Sequence, residues 1–112
     1  MVVEVTEQDF NTEVLEADVP VFACFTAPPC GSCFALCLVT ESLAREYQGS
    51  MKFVKIDIGK ESELAARYHI VPLPTVLIFR DAEPVHRLLG FHSPGPLKVL
   101  IDGFLAEGTH ST

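Results

Sequence analysis

One stretch, residues 19–33, constrains the fold more than any other part of the chain. It reads VPVFACFTAPPCGSC: an apolar run rich in β-forming residues, then two prolines and a Cys-x-x-Cys motif. A long helical pattern begins directly afterwards, at Phe34. Helix N-termini expose unpaired N–H groups and carry the positive end of the macrodipole, so they stabilise a thiolate. Cys30 is expected where this field is strongest, with Cys33 one turn further on. We therefore interpret the motif as a dithiol/disulfide site.

Composition excludes several functional classes. A chain of 112 residues, 48% hydrophobic and 21% charged, suits one globular domain with its own core. The formal net charge of −7 argues against nucleic acid, because nucleic-acid-binding surfaces are basic. The first residues lack the features of a secretory signal, and no stretch has the pattern of a membrane span. We predict a cytoplasmic protein, most simply a monomer, with neither nucleic acid nor membrane as a partner.

Four cysteines lie between positions 24 and 37. Without a secretory signal, such clustering points to redox chemistry or metal binding rather than to structural disulfides. The spacing is not the paired pattern of structural zinc sites, so no metal is predicted. Cys24 has two interpretations, a buried apolar residue or an additional thiol within reach of Cys33. Cys37 is predicted to belong to the core, because a free cysteine usually behaves as a small hydrophobic residue.

Hydrophobic periodicity predicts the element order β-α-β-α-β-α-β-β-α. Helical connections between the early strands imply parallel neighbours or crossovers, whereas the tight turn between the last two makes them antiparallel. We expect a mixed central sheet with helices on both faces, a three-layer α/β/α domain over residues 1–106, followed by a flexible tail at 107–112. The strands are predicted at 2–5, 21–26, 51–57, 75–79 and 84–89, and the helices over 6–16, from 34 to about 47, over 61–68 and from 94 onwards.

Taken in this order, the chain resembles the thioredoxin family from about Val2 to Leu105. Five features carry the resemblance: CGSC at the strand-to-helix turn, Leu73-Pro74-Thr75 before a later strand, Ala44-x-x-Tyr47, Val54-Lys-Ile-Asp57, and Gly90 after the last strand. A Cys-x-x-Cys alone is a weak signal, but it is specific when a matching Pro-Thr follows in this element order. The resemblance implies the thioredoxin fold and thiol–disulfide exchange.

The resemblance also implies a role for each matched position. Cys30 would be the attacking thiol and Cys33 the buried resolving thiol. Pro74 would be a cis-proline beside the dithiol, leaving the backbone groups of Leu73 free to pair with an extended substrate. The substrate-binding set would be Pro29, Leu73, Pro74 and Gly90.

Several positions depart from the family pattern. Cys24 stands where family members usually carry a buried Asp, Pro29 where they carry Trp, and Ser32 where they carry Pro. Lys55 matches the lysine that normally accompanies the missing Asp. We therefore expect the family's scaffold to be intact and the reactivity of the dithiol to be altered. The residues expected to modulate that reactivity are Cys24, Gly31, Ser32 and Lys55.

Together these features predict a thiol–disulfide oxidoreductase that acts on protein disulfides and has no cofactor beyond its own dithiol. Its reductant would be a thioredoxin-reductase-like protein or a small thiol. Two alternatives remain open at this point. One is a thioredoxin-like peptide-binding or assembly module with little turnover. The other is a thiol or metal sensor that uses Cys24 and Cys37.

Overall fold

A computed structural model describes residues 1–110 of the chain, with side chains described through Glu107. It confirms the predicted element types and their order, except for the first helix. The strands are β1 (Val2–Glu4), β2 (Val21–Thr26), β3 (Lys52–Asp57), β4 (Thr75–Arg80) and β5 (Glu83–Leu89), and the helices are α1 (Gly31–Glu46), α2 (Ser62–Arg67) and α3 (Pro94–His110).

The strands form one mixed sheet in the order β1-β3-β2-β4-β5. Strand β3 pairs in parallel with β1 and β2, whereas β4 is antiparallel to both β2 and β5. Strand β2 is therefore central, with hydrogen-bonded neighbours on both edges. Pro84, which cannot donate to a ladder, lies in the edge strand β5, where a proline is tolerated.

The two faces of the sheet carry separate apolar clusters, because successive residues of a strand point to opposite faces. From β2, Val21, Ala23 and Phe25 join a cluster that also contains Leu64 of α2. Phe22 and Cys24 join the opposite cluster, which is covered by α1 and α3 through residues that include Leu36, Leu43, Leu97, Ile101 and Phe104. The predicted three-layer α/β/α architecture is confirmed.

The prediction of an ordinary first helix is wrong. A single π-helical turn, Asn11–Leu15, stands there, closed by a 2.8 Å bond from the Glu16 N–H to the Asn11 carbonyl. The Asp9 carboxylate accepts from both the N–H and the hydroxyl of Thr6, at 2.6 and 3.1 Å. Residues 7–9 form a turn, and only a short helical segment follows it.

Two helix boundaries also differ from those predicted. Helix α1 begins at Gly31, three residues before the apolar pattern, because Cys30 caps it. Helix α3 continues to His110, so the predicted domain boundary after residue 106 does not coincide with the end of a helix. Residues 111 and 112 of the predicted tail lie outside the described residues.

Substitution of Phe79 measures how much the aromatic core contributes to the stability of the fold. Its ring lies edge-on to Phe10 and Tyr68, with centroid separations of 5.9 and 5.5 Å, and it is buried. We expect Phe79→Ala to lower the free energy of unfolding by about 3–5 kcal/mol, through lost burial and the cavity it leaves. The matched control is Val99→Ala on α3, which should change stability by less than about 0.5 kcal/mol because Val99 is 75% exposed. Urea unfolding followed by circular dichroism measures both, and equal effects would contradict this account of the core.

Candidate redox site

The dithiol lies where the central strand β2 ends and helix α1 begins. Residues 27–29 connect the two and include a cis Pro28–Pro29 bond. Cys30 has extended backbone angles (φ −158°, ψ 108°) and is the N-cap of α1. The Cys33 N–H donates to the Cys30 Sγ at 3.2 Å, so the sulfur occupies the place of the usual side-chain oxygen cap. An anionic sulfur is favoured at this position, because it faces the positive end of the helix and accepts from an N–H that has no acceptor within the helix.

Cys30 and Cys33 are joined by a disulfide, with their Cα atoms 5.2 Å apart. The two sulfur-bearing residues differ in access. Cys33 is only 4% exposed, whereas Cys30 is half-buried and borders solvent. The Ser32 hydroxyl lies 3.5 Å from the Cys30 sulfur, and Gly31 has open space around the position of a Cβ. An incoming disulfide can therefore reach Cys30 more readily than Cys33.

Two further predicted residues, Pro74 and Gly90, meet at the same end of the sheet. Phe25, next to the last residue of β2, pairs with Thr75, so Pro74 lies opposite the exit towards the dithiol. The Leu73–Pro74 bond is cis, and the Gly90 N–H donates to the Pro74 carbonyl at 2.8 Å. Gly90 has a φ of +79°, a conformation that favours glycine.

Sequence comparison now decides the family. A sequence model of the thioredoxin family matches residues 1–102. The chain belongs to the thioredoxin family. It is 37% identical to thioredoxin 1 of Nostoc sp. over 78% of this chain and 81% of that protein. It is 36% identical to thioredoxin C-2 of Corynebacterium nephridii over 90% of this chain and 94% of the relative. A thioredoxin of Staphylococcus aureus is 34% identical over 93% and 98% of the two chains.

These findings confirm the predicted fold and activity class. The protein is a thiol–disulfide oxidoreductase of the thioredoxin family, with the Cys30–Cys33 pair in the position of the family's redox motif. The matches do not favour either alternative, the peptide-binding module or the sensor. Within residues 1–110, no group of three or more His, Cys, Asp or Glu side chains is arranged to hold a metal ion, and no helix there is long and apolar enough to cross a bilayer.

Around this thioredoxin-family dithiol, the structure places Cys24 against Cys37 of α1. Burial and a side-chain hydrogen bond to Cys37 raise the pKa of Cys24, the hydrogen bond being the larger cause. The same hydrogen bond is the main reason that the pKa of Cys37 is lowered to about 6. The Lys55 ammonium also lowers this pKa, whereas burial and the Glu41 carboxylate raise it. The hydrogen bond between the two thiols therefore favours the proton on Cys24 and the negative charge on Cys37.

The prediction that Cys37 belongs to the core is wrong. Cys37 is half-buried and lies outside both apolar clusters, where it borders a surface depression with Cys30 and Cys33. The sequence did contain a signal, since Cys37 follows Cys33 by four residues and shares its helix face. What sequence reasoning missed was that the alternation along β2 turns Cys24 towards the same face. Lys55 is directly across from Cys24 in the register of β2 and β3.

The protonation of Cys37 can be measured through its reactivity, because the thiolate is the nucleophile. In a Cys30→Ser/Cys33→Ser double variant, we expect alkylation of Cys37 by iodoacetamide to be fast at pH 7. The rate should fall as the pH drops through about 6, since the thiolate fraction falls there. Adding Cys24→Ala should move the midpoint up towards the ordinary value near 8.5. A midpoint near 8.5 with Cys24 present would contradict the assigned charge state.

Proposed function

We propose that this protein is a reductase of protein disulfides, in which Cys30 attacks and Cys33 resolves. The observation that carries the proposal is the asymmetry of the dithiol. Cys30 borders solvent and its sulfur accepts an N–H at the start of α1, whereas Cys33 is buried one turn inside. The accessible sulfur with the stabilised anion is suited to attack, and the shielded sulfur to the second, intramolecular step.

The reaction follows from thiol chemistry. The Cys30 thiolate attacks one sulfur of the substrate disulfide, and the other substrate sulfur leaves as a thiolate. Cys33 then loses its proton and attacks the Cys30 sulfur, which releases the second substrate thiolate and forms the Cys30–Cys33 disulfide. The substrate gains two electrons, and the protein dithiol loses them. A thioredoxin-reductase-like protein or a small thiol returns the dithiol to its reduced state.

The substrate would dock as an extended segment beside Leu73 and Pro74. Support comes from exposed apolar side chains near this end of the sheet, on loops, on α1 and on β5, since an exposed apolar patch rimmed by polar residues is typical of a binding site. Gly90 contributes by leaving the groove open, and Ser32 and Gly31 adjust the environment of the attacking sulfur. The exposed residues of this rim are Pro29, Phe34, Val71, Leu89 and Phe91.

In a cytoplasm, where thiol systems keep cysteines reduced, a thioredoxin-family dithiol is expected to reduce the disulfides of its substrates. We propose that the protein acts there as a monomer and needs no cofactor besides Cys30 and Cys33. The acidic net charge of −7 is compatible with a protein substrate and unsuited to nucleic acid.

The roles of the two cysteines can be separated by trapping. With Cys33→Ser, the second step is removed, so we expect a stable mixed disulfide between Cys30 and a protein substrate on non-reducing gels. The matched control is Cys30→Ser, which should form no such adduct at the active dithiol because Cys33 is shielded. Both variants should lose nearly all turnover in a protein-disulfide reduction assay. Trapping through Cys33 in the Cys30→Ser variant would reverse the assignment.

The docking groove can be tested at Gly90. In Gly90→Asn the added Cβ meets nothing within 4 Å, so the surroundings leave room for the side chain that we propose obstructs the groove, and Asn tolerates a positive φ better than most residues. We expect the KM for a protein disulfide to rise about tenfold, a loss of about 1.4 kcal/mol in docking. Reduction of a small disulfide should be little changed, because it does not need the groove.

Gly49→Asn provides the matched control for backbone strain. Gly49 has a φ of +89° and equal open space, but it lies beyond the C-terminus of α1. With about 1.5 Å per residue, the length of α1 separates it from the dithiol by more than 20 Å. Equal loss in the two variants, or no loss in either, would contradict substrate docking at Gly90.

A further inference from the structure

Two thiols, Cys24 and Cys37, lie outside the Cys30–Cys33 disulfide and are free cysteines. Cys24 is 1% exposed, on the face of β2 that is covered by α1. Cys37 is half-buried on α1, and both line one narrow cavity. The cavity measures about 10 Å³, scarcely the space of one water molecule, so no sizeable ligand separates the thiols.

The charged surroundings of this pair favour one thiolate. Lys55 and Glu41 line the same cavity, together with Val2 and Thr40. The Thr40 hydroxyl donates to the Leu36 carbonyl at 2.8 Å and also interacts with Cys24, whose pKa it lowers against the stronger effects of Cys37 and burial. Among residues 1–110, Lys55 makes no ion pair within 4.0 Å of a carboxylate. Its ammonium is therefore available to attract a negative charge on sulfur, against the weaker opposing field of Glu41.

Access to the pair comes from the side of the dithiol. Cys37 borders a depression with Pro28, Cys30, Cys33 and Phe34, whereas Cys24 does not reach it. Cys37 thus connects the buried cavity with the accessible surface. The pair repeats the geometric asymmetry of the active dithiol, with one half-buried cysteine at a surface depression and one fully buried cysteine behind it.

We propose that Cys24 and Cys37 form a second redox-active pair, in which Cys37 reacts with small disulfides and Cys24 resolves the product. The Cys37 thiolate attacks a disulfide such as glutathione disulfide, forming a mixed disulfide and releasing one glutathione thiolate. Cys24 then gives up its proton and attacks the Cys37 sulfur. A Cys24–Cys37 disulfide forms, and the second glutathione leaves as a thiolate. The protein loses two electrons, and glutathione disulfide gains them.

The first experiment is a glutathione redox titration of the unmodified protein, with disulfide mapping by mass spectrometry. We expect two separate two-electron transitions, one giving the Cys30–Cys33 link and the other the Cys24–Cys37 link. The Cys30→Ser/Cys33→Ser variant isolates the second transition, so the outcome does not depend on whether the active dithiol turns over substrates. An absence of oxidation at Cys37, or a link from Cys24 or Cys37 to Cys30 or Cys33 in place of Cys24–Cys37, would overturn the proposal.

Single substitutions in the double-variant background separate attack from resolution. With Cys24→Ala, Cys37 should accumulate as the mixed disulfide with glutathione, because the resolving thiol is gone. With Cys37→Ala, Cys24 should remain a free thiol, because it is shielded from glutathione disulfide. If the Cys24-containing protein also stops at the mixed disulfide, Cys24 is not the resolving thiol. Modification of Cys24 in the Cys37→Ala protein would equally contradict the order of steps.

Discussion

Burial of strand β2 on both faces and both edges is the constraint on which the rest of the structure depends. Its neighbours β3 and β4 satisfy its backbone groups, so a run of apolar residues can cross the centre of the domain without unpaired polar atoms. Because β2 is packed on both faces and paired on both edges, the position of its C-terminal end is fixed. Residues 27–29 connect that end to Cys30, so any movement of β2 would displace the dithiol from the first turn of α1.

At the start of α1, the Cys30 sulfur both caps the helix and serves as the proposed nucleophile. A helix needs acceptors for its first N–H groups, and here the Cys30 Sγ accepts from Cys33 where Ser, Thr, Asp or Asn commonly would. The interaction strengthens when the sulfur is ionised, because hydrogen bonds to charged acceptors are stronger than those to neutral ones. Capping the helix and activating the nucleophile are thus one interaction, which joins the stability of α1 to the redox state of the site.

The interior near the dithiol differs from the usual family arrangement in where it keeps charge. A buried Asp beside a Lys would bring a carboxylate into the sheet–helix layer, whereas Cys24 remains a neutral thiol there. The hydrogen bond between the two thiols instead favours a negative charge on Cys37, which is half-buried and lies near Lys55. A charge at this position has a smaller desolvation free energy than a fully buried carboxylate, because a half-buried thiolate keeps part of its hydration. It also leaves two extra sulfur atoms within the reach of redox chemistry.

Much of this protein could be read from its sequence, because the controlling signals are local. Apolar runs bounded by Gly and Pro predict β2, β3 and β4, and the Cys-x-x-Cys at a strand-to-helix turn predicts the dithiol. The prediction of a regular first helix from its apolar spacing was wrong, since the chain forms a turn and a five-residue π-helical segment there. Helix α1 begins early for a related reason, since a cysteine cap is not among the usual sequence signals.

The sequence by itself determined the elements, the two faces of each strand and the accessible thiol at a helix start, since each depends on neighbours within a few residues. Only the tertiary structure decided the strand order, the meeting of Pro74 with Gly90 and the pairing of Cys24 with Cys37. Those contacts join segments that are far apart in the chain or lie on different elements. Their geometry follows from how helices and strands pack against one another, which residue spacing alone does not encode.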